Sequence, residues 1–288
     1  MKRRLFVAIA SLVLAGCAEL QLFIANTASS AGPFSATDDV AYGTEPRQKL
    51  DIYRPKHLAG AAPDARLPVV VFFHGGGWTS DSKDEYRFVG AALAEQGWLG
   101  VVPSYRLHPK VEFPTFVEDA ALAVAWVRRY AREYGGDPAR IFVMGHSAGA
   151  HLALLIALDN HYLAAVGASA RDIKGVIGLS GPYDFLPLVN DRLKQIFAPA
   201  LDLADSQPIH FARADAPPML LVHGDADEIV SVQNSISLAA AIERLGGEVT
   251  LKVYKGRSHG DIVAGFSNLR RDDPPVLTDV RRFIEAHP

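Results

Sequence analysis

Apolar positions along this chain follow two alternating rhythms. Leu67–Phe73 (LPVVVFF) is an unbroken β-branched and aromatic run, the pattern of a strand buried on both faces. Residues 86–96 switch to helical spacing and stop at Gly97, and 99–105 (LGVVPSY) return to a strand. Helical intervals over 113–134 end at Gly135-Gly136, a C-cap signal. A strand over 141–144, a helix over 148–158 and a strand over 173–179 follow. Two more strands, 219–222 and 249–254, flank a helix over 235–245, and a last helix covers 277–286. Ahead of these, 39–42 and 49–53 read as an edge hairpin around the polar turn GTEPRQ. Such alternation predicts an α/β fold, a mostly parallel sheet with helices on both faces. Residues 39–288 read as one domain, and its one irregular segment, 181–218, is long enough to suggest a cap facing the substrate.

The N-terminus breaks this rhythm. Met1-Lys2-Arg3-Arg4 is a cationic segment and Leu5–Leu14 an apolar one, long enough for a signal peptide but short of the roughly 20 residues that span a bilayer. Leu14-Ala15-Gly16-Cys17 resembles the lipobox of bacterial lipoproteins, which implies lipidation of Cys17 after removal of residues 1–16. Ala18 stands where that family's inner-membrane retention signal places Asp, so the resemblance implies an outer-membrane protein facing the periplasm. The alternative is an ordinary secretory signal cut near Ala31, giving a soluble periplasmic or secreted protein. Residues 17–38, small and polar apart from Leu20–Ile24, read as a tether. The 288-residue chain carries 29 Lys+Arg against 32 Asp+Glu. Its net charge of −3 would become −6 on loss of residues 1–16, so no basic field points to nucleic acid. A single cysteine excludes an intramolecular disulfide framework and a CxxC zinc site.

Gly145-His146-Ser147-Ala148-Gly149 matches G-x-S-x-G and sits between a predicted strand and a predicted helix, the context that gives the pattern meaning. A serine in that cramped turn presents its hydroxyl as a nucleophile. It needs a base and an orienting acid, in the chain order nucleophile, acid, histidine. His223-Gly-Asp225-Ala-Asp227 offers two carboxylates after a late strand. Asp227 lies further into the loop and is favoured, while Asp225 could hold the turn. Ser258-His259-Gly260 supplies the base after the last strand. His74-Gly75-Gly76-Gly77-Trp78 follows the strand LPVVVFF, and its glycines free consecutive N–H groups for a ligand. With Ala148, Gly76 and Gly77 form a candidate oxyanion hole. Neither G-x-x-x-x-G-K-[ST] nor HExxH is present, so no metal or organic cofactor is expected; the Asp225/Asp227/Glu228 group is a minor calcium alternative. Trp78, His108, Tyr183 and Phe185 are candidate substrate contacts, and the apolar residues of 181–218 suggest small or aromatic esters rather than charged ones.

These motifs make the chain from about Gln48 onward similar to the α/β-hydrolase superfamily. HGGGW at 74–78 and GHSAGAH at 145–151 resemble the HGG(G)-motif esterases: feruloyl-esterase-like, hormone-sensitive-lipase-like and kynurenine-formamidase-like. Tyr105-Arg106-Leu107-His108-Pro109 with Phe113-Pro114 and Glu118-Asp119 is similar to a segment that braces the active-site floor in that family, so Arg106 and Asp119 read as structural. The resemblance implies Ser147, Asp227 and His259 as a triad, hydrolysing short-chain or aromatic esters through an acyl-enzyme. An arylformamidase using the same apparatus is the alternative, and a non-catalytic binding module would be expected to lose triad members. The large N-terminal cap of many hormone-sensitive-lipase relatives is not expected here, since about 20 residues precede the first strand once residues 1–16 are removed.

Overall fold

The computed structural model describes residues 22, 24–29, 32–58 and 66–288. Residues 1–16 and Cys17 lie outside them. The strands are β1 (Phe34–Ala41), β2 (Lys49–Pro55), β3 (Leu67–Phe73), β4 (Leu99–Pro103), β5 (Gly136–His146), β6 (Ile173–Leu179), β7 (Met219–Gly224) and β8 (Val249–Tyr254). They form one sheet in the order β1-β2-β4-β3-β5-β6-β7-β8. β1/β2 and β2/β4 pair antiparallel, and every other pair is parallel. The helices are α1 (Arg87–Glu95), α2 (Thr115–Tyr130), α3 (Ala148–Leu158), α4 (Asn160–Ala165), α5 (Asp191–Phe197), α6 (Gln233–Arg244), α7 (His259–Ala264) and α8 (Val276–Ala286).

The period-two pleat explains why the central strands are apolar throughout. Val69, Val71 and Phe73 of β3 enter a core shared with α2, α3 and α6, while Val70 and Phe72 enter the opposite core with α1 and α8. β5 divides in the same way, Ile141 and Val143 against Phe142 and Met144. α3 is buried at every position, which is why it reads as an unbroken apolar stretch rather than an amphipathic one. No helix among the described residues is long and apolar enough to cross a membrane.

Three expectations change. The described part of the expected tether is not free chain. Ala25 and Ser29 are buried, Asn26 donates to the Asp84 carbonyl at 2.8 Å, and its Oδ1 accepts from Phe88 N–H. β1 starts at Phe34 rather than Asp39, because a half-exposed edge strand needs no hydrophobic run to pair with β2. Residues 181–218 contain α5, and part of their apolar surface turns inward: Ile196 and Phe197 are fully buried, with Val189, Leu201 and Leu203 left exposed.

The predicted floor brace is present. Asp119, almost fully buried, accepts from Arg106 Nη2 at 2.6 Å, Arg106 Nε and N–H at 2.9 Å, and Gln48 Nε2 at 2.7 Å. It ties the end of β4 to α2 and to the loop before β2. Removing it leaves Arg106 and Gln48 without their acceptor in a mostly buried place. Asp119→Ala is expected to cost about 3 kcal/mol, near the low end for a broken buried pair because Arg106 is partly hydrated. Urea unfolding checks this as a lower midpoint with an unchanged slope, and Asp119→Asn should lose less.

Candidate active site

Ser147 is the residue between β5 and α3, with φ 55° and ψ −122°, a conformation that costs a non-glycine residue on the order of 1–3 kcal/mol. The turn persists because its neighbours hold it. Ser147 N–H donates to the Leu179 carbonyl at the end of β6 (2.9 Å), and its own carbonyl accepts from His151 N–H. An added Cβ at Gly149 would fall on the carbonyl oxygens of Phe73 and His74, so α3 starts in direct backbone contact with the end of β3. This brings the HGGG loop over the serine: a Cβ at Gly75 would lie 3.4 Å from Ser147 Cβ.

The loop itself adopts conformations open to glycine, with φ 101° at Gly76 and 56° at Gly77. Gly76 C=O closes the turn by accepting from Thr79 and Ser80 N–H at 3.0 Å. Among the described residues the Gly76 and Gly77 N–H groups have no backbone acceptor, and Ala148, as the first residue of α3, has none within its helix. Tyr105 Oη donates to the His74 carbonyl at 2.9 Å, and its ring stacks on the His74 imidazole at 4.2 Å. Arg47, from the hairpin turn, binds the Tyr105 and Asp81 carbonyls on either side of the loop (2.8 and 2.6 Å). Arg47 carried no motif, and only the fold brings it here.

Asp227 and His259 meet as expected, with His259 Nδ1 2.7 Å from Asp227 Oδ2. The Asp227 carboxylate is fully buried, and its Oδ1 accepts from Ile229 and Val230 N–H, both at 2.9 Å. His223, at the end of β7, is also part of this group. Its Nε2 lies 2.9 Å from the Val230 carbonyl and 3.2 Å from Asp227 Oδ2, and its Nδ1 is 2.7 Å from Ser235 Oγ. A neutral imidazole with the proton on Nε2 satisfies all three contacts, Ser235 then donating to Nδ1. Burial raises the Asp227 carboxyl, but hydrogen bonds from His223 and His259 outweigh it and hold the group well below the usual carboxylate range. Asp225 takes the other role open to it, accepting from Gly256 N–H at 2.5 Å and holding the loop that carries His259.

His259 opens α7, where a reciprocal capping box between Ser258 and Asp261 sets the helix start. Its carbonyl lies 3.2 Å from His146 Nε2 and the two rings are 4.7 Å apart, so His259 is docked on the residue beside Ser147. Among the described residues no hydrogen bond joins Ser147 Oγ to the His259 ring. Such contacts commonly tighten only in the complex with substrate.

The candidate substrate contacts divide. Tyr183 is fully buried, filling the space left by Gly178 and Gly181, so it is core rather than a pocket wall. Trp78 is also buried, in an aromatic cluster with Phe116, His151, Phe185 and Phe197. Phe185 and His108 are half-buried, and His108 N–H donates to the Trp78 carbonyl beside Gly77. These two keep the surface that a contact residue needs.

Residues 50–242, two thirds of the chain, match the family described as BD-FAE, and the chain belongs to it. The match includes Ser147 and Asp227 and stops short of His259. The chain is 32% identical over 247 residues to a probable isoprenylcysteine alpha-carbonyl methylesterase of Arabidopsis thaliana, covering 77% of this chain and 50% of that one. It is 33% identical over 228 residues to Esterase LipQ of Mycobacterium tuberculosis, covering 73% and 53%. The chain thus spans about half the length of these relatives. Among solved structures, Thermogutta terrifontis esterase 2 superposes with a TM-score of 0.73 at 27% identity, covering 88% of this chain and 94% of that one. Esterase B from Lactobacillus rhamnosis reaches 0.81 at 20% identity over 98% and 96%, a likeness of fold. The architecture is the α/β-hydrolase fold.

Three histidines around the site are held neutral. Burial pushes His74 and His146 down to about 3 and His151 down to about 4, against about 6.5 in an open chain. Below pH 6.5 the unfolded chain binds these protons and the native one does not. Their contribution to stability is therefore full above about pH 6.5 and lost as pH falls towards 3 to 4. The slope is expected to reach about 1.4 kcal/mol per pH unit for each imidazole. Urea unfolding between about pH 7.5 and 5 reads this slope, and His151→Gln should make it shallower.

Proposed function

We propose that the protein is a serine carboxylic-ester hydrolase that cleaves short-chain or aromatic esters through an acyl-enzyme. The observation that carries this reading is the 2.7 Å contact between buried Asp227 and His259, ending beside a strained serine under a glycine loop with free N–H groups. With Nδ1–H donating to Asp227, His259 Nε2 keeps its lone pair for the Ser147 proton. Ser147 Oγ attacks the ester carbonyl, and the Gly76, Gly77 and Ala148 N–H groups receive the developing oxyanion. His259 returns the proton to the leaving alcohol, then activates the water that releases the acid. The esterase names of the relatives support the reaction class. Thermogutta terrifontis esterase 2, 25–26% identical, has been solved with butyrate and propionate bound, which supports a short acyl group. The half-buried Phe185 beside Trp78 supports aromatic groups as well.

Ser147→Ala is expected to lower kcat/KM for phenyl acetate by at least about 10³, leaving the small rate that the remaining groups sustain. Equal rates for the variant and the parent protein would remove the assignment. His259→Gln should lose a comparable factor, since nucleophile and base act as a unit.

We also propose that the catalytic domain is exported and held at a membrane through a lipid on Cys17, on the strength of the Leu-Ala-Gly-Cys sequence. Cys17→Ser is expected to move the protein from the membrane fraction to the soluble one and to abolish labelling by a fatty-acid analogue. Unchanged fractionation and labelling would defeat this proposal.

A further inference from the structure

The cap segment carries a cation to the edge of the candidate oxyanion loop. A Cβ built on Gly77 would have the Arg192 Nη2 atom as its nearest neighbour, at 3.8 Å. Arg192 belongs to α5, a short helix with a firm hold on the domain. Its C-terminal Ile196 and Phe197 are fully buried, the Ile196 carbonyl accepts from Phe113 N–H, and Asn190 caps its start by accepting from Leu193 N–H. The guanidinium is therefore carried by an anchored element. The other charges of α5 satisfy each other, Lys194 Nζ lying 3.2 Å from Asp191. Among the described residues Arg192 has no carboxylate partner and no hydrogen bond. Below the loop, Asp81 is engaged with Tyr86, while Arg47 binds its carbonyl.

An exposed arginine whose guanidinium reaches the loop at Gly77, with no acid of its own, is suited to an anion on the substrate. Its planar fork takes a carboxylate through two charge-assisted hydrogen bonds. We propose that Arg192 is a specificity-determining residue and that the preferred substrates are esters bearing a carboxylate near the scissile bond. These are monoesters of dicarboxylic acids, with the charge on the acyl side, or esters of hydroxyaryl acids, with the charge on the alcohol side. This rests on the esterase reading and narrows it. It also departs from the preference for uncharged esters that the apolar residues of 181–218 suggest, because Leu188, Ile196 and Phe197 among them are committed to the core.

The test compares kcat/KM for two matched pairs, monomethyl glutarate against methyl butyrate and 3-acetoxybenzoate against phenyl acetate. In the parent protein the charged member of at least one pair should be preferred, and that pair identifies the side carrying the charge. Arg192→Gln should lower the charged-to-neutral ratio about tenfold, the size of one charge-assisted contact at a half-open site. Arg192→Lys should restore part of it, and added salt should shrink the parent's ratio. A ratio that Arg192→Gln leaves unmoved in both pairs, or no preference in the parent, overturns the proposal while the esterase reading stands. Failure of the parent to hydrolyse any of the four esters faster than Ser147→Ala sinks the esterase reading and this proposal with it.

Discussion

The site depends on how closely the Ser147 turn packs against the end of β3. Gly149 lies so near the Phe73 and His74 carbonyls that no side chain fits between them, and this contact places the serine beneath the glycine loop. A methyl group there would separate Ser147 from the Gly76 and Gly77 N–H groups even if Asp227 and His259 were kept. The strained backbone at Ser147 is held by the same neighbours, above all the Leu179 carbonyl that takes its N–H. Strain in the turn and close packing around it are two aspects of one constraint.

Electrostatics around this contact are arranged by burial. Asp227 stays ionised in a fully buried place because two backbone N–H groups and two imidazoles converge on it. His74, His146 and His151 are buried with no carboxylate partner and remain neutral, so they add no positive charge beside His259. His223 stands between the two cases: it touches Asp227 yet spends its remaining nitrogen on Ser235. Among the imidazoles at the site, His259 combines the Asp227 contact with a partly open ring.

The segment between β6 and β7 does two jobs with different side chains. Ile196 and Phe197 extend the core upward and join the aromatic cluster around Trp78, which fixes α5. Arg192, on the same helix, is left facing the loop at Gly77. A short helix thus converts hydrophobic burial at one end into the position of a charge at the other.

Most of the parallel sheet could be read from the chain, because a strand buried on both faces shows itself as a β-branched run and a buried helix as an apolar one; β6, β8 and α3 have the predicted limits. The motif around Ser147 was legible for a stricter reason, since its backbone geometry tolerates few residues on either side. The edge hairpin was read, but the first five residues of β1 were missed because a half-exposed strand carries no hydrophobic signature. Trp78 and Tyr183 were read as pocket walls because an aromatic residue near a motif does not reveal which way it faces, and packing turned both inward. Arg47, His223 and Arg192 share one cause: their partners lie on other elements, and spacing along a chain records burial and turn geometry but not which side chains meet in space. Local pattern was enough for the strands, the serine turn and the pairing of Asp227 with His259. Tertiary packing alone decided that His223 joins His259 at Asp227, what braces the glycine loop and which charge reaches it.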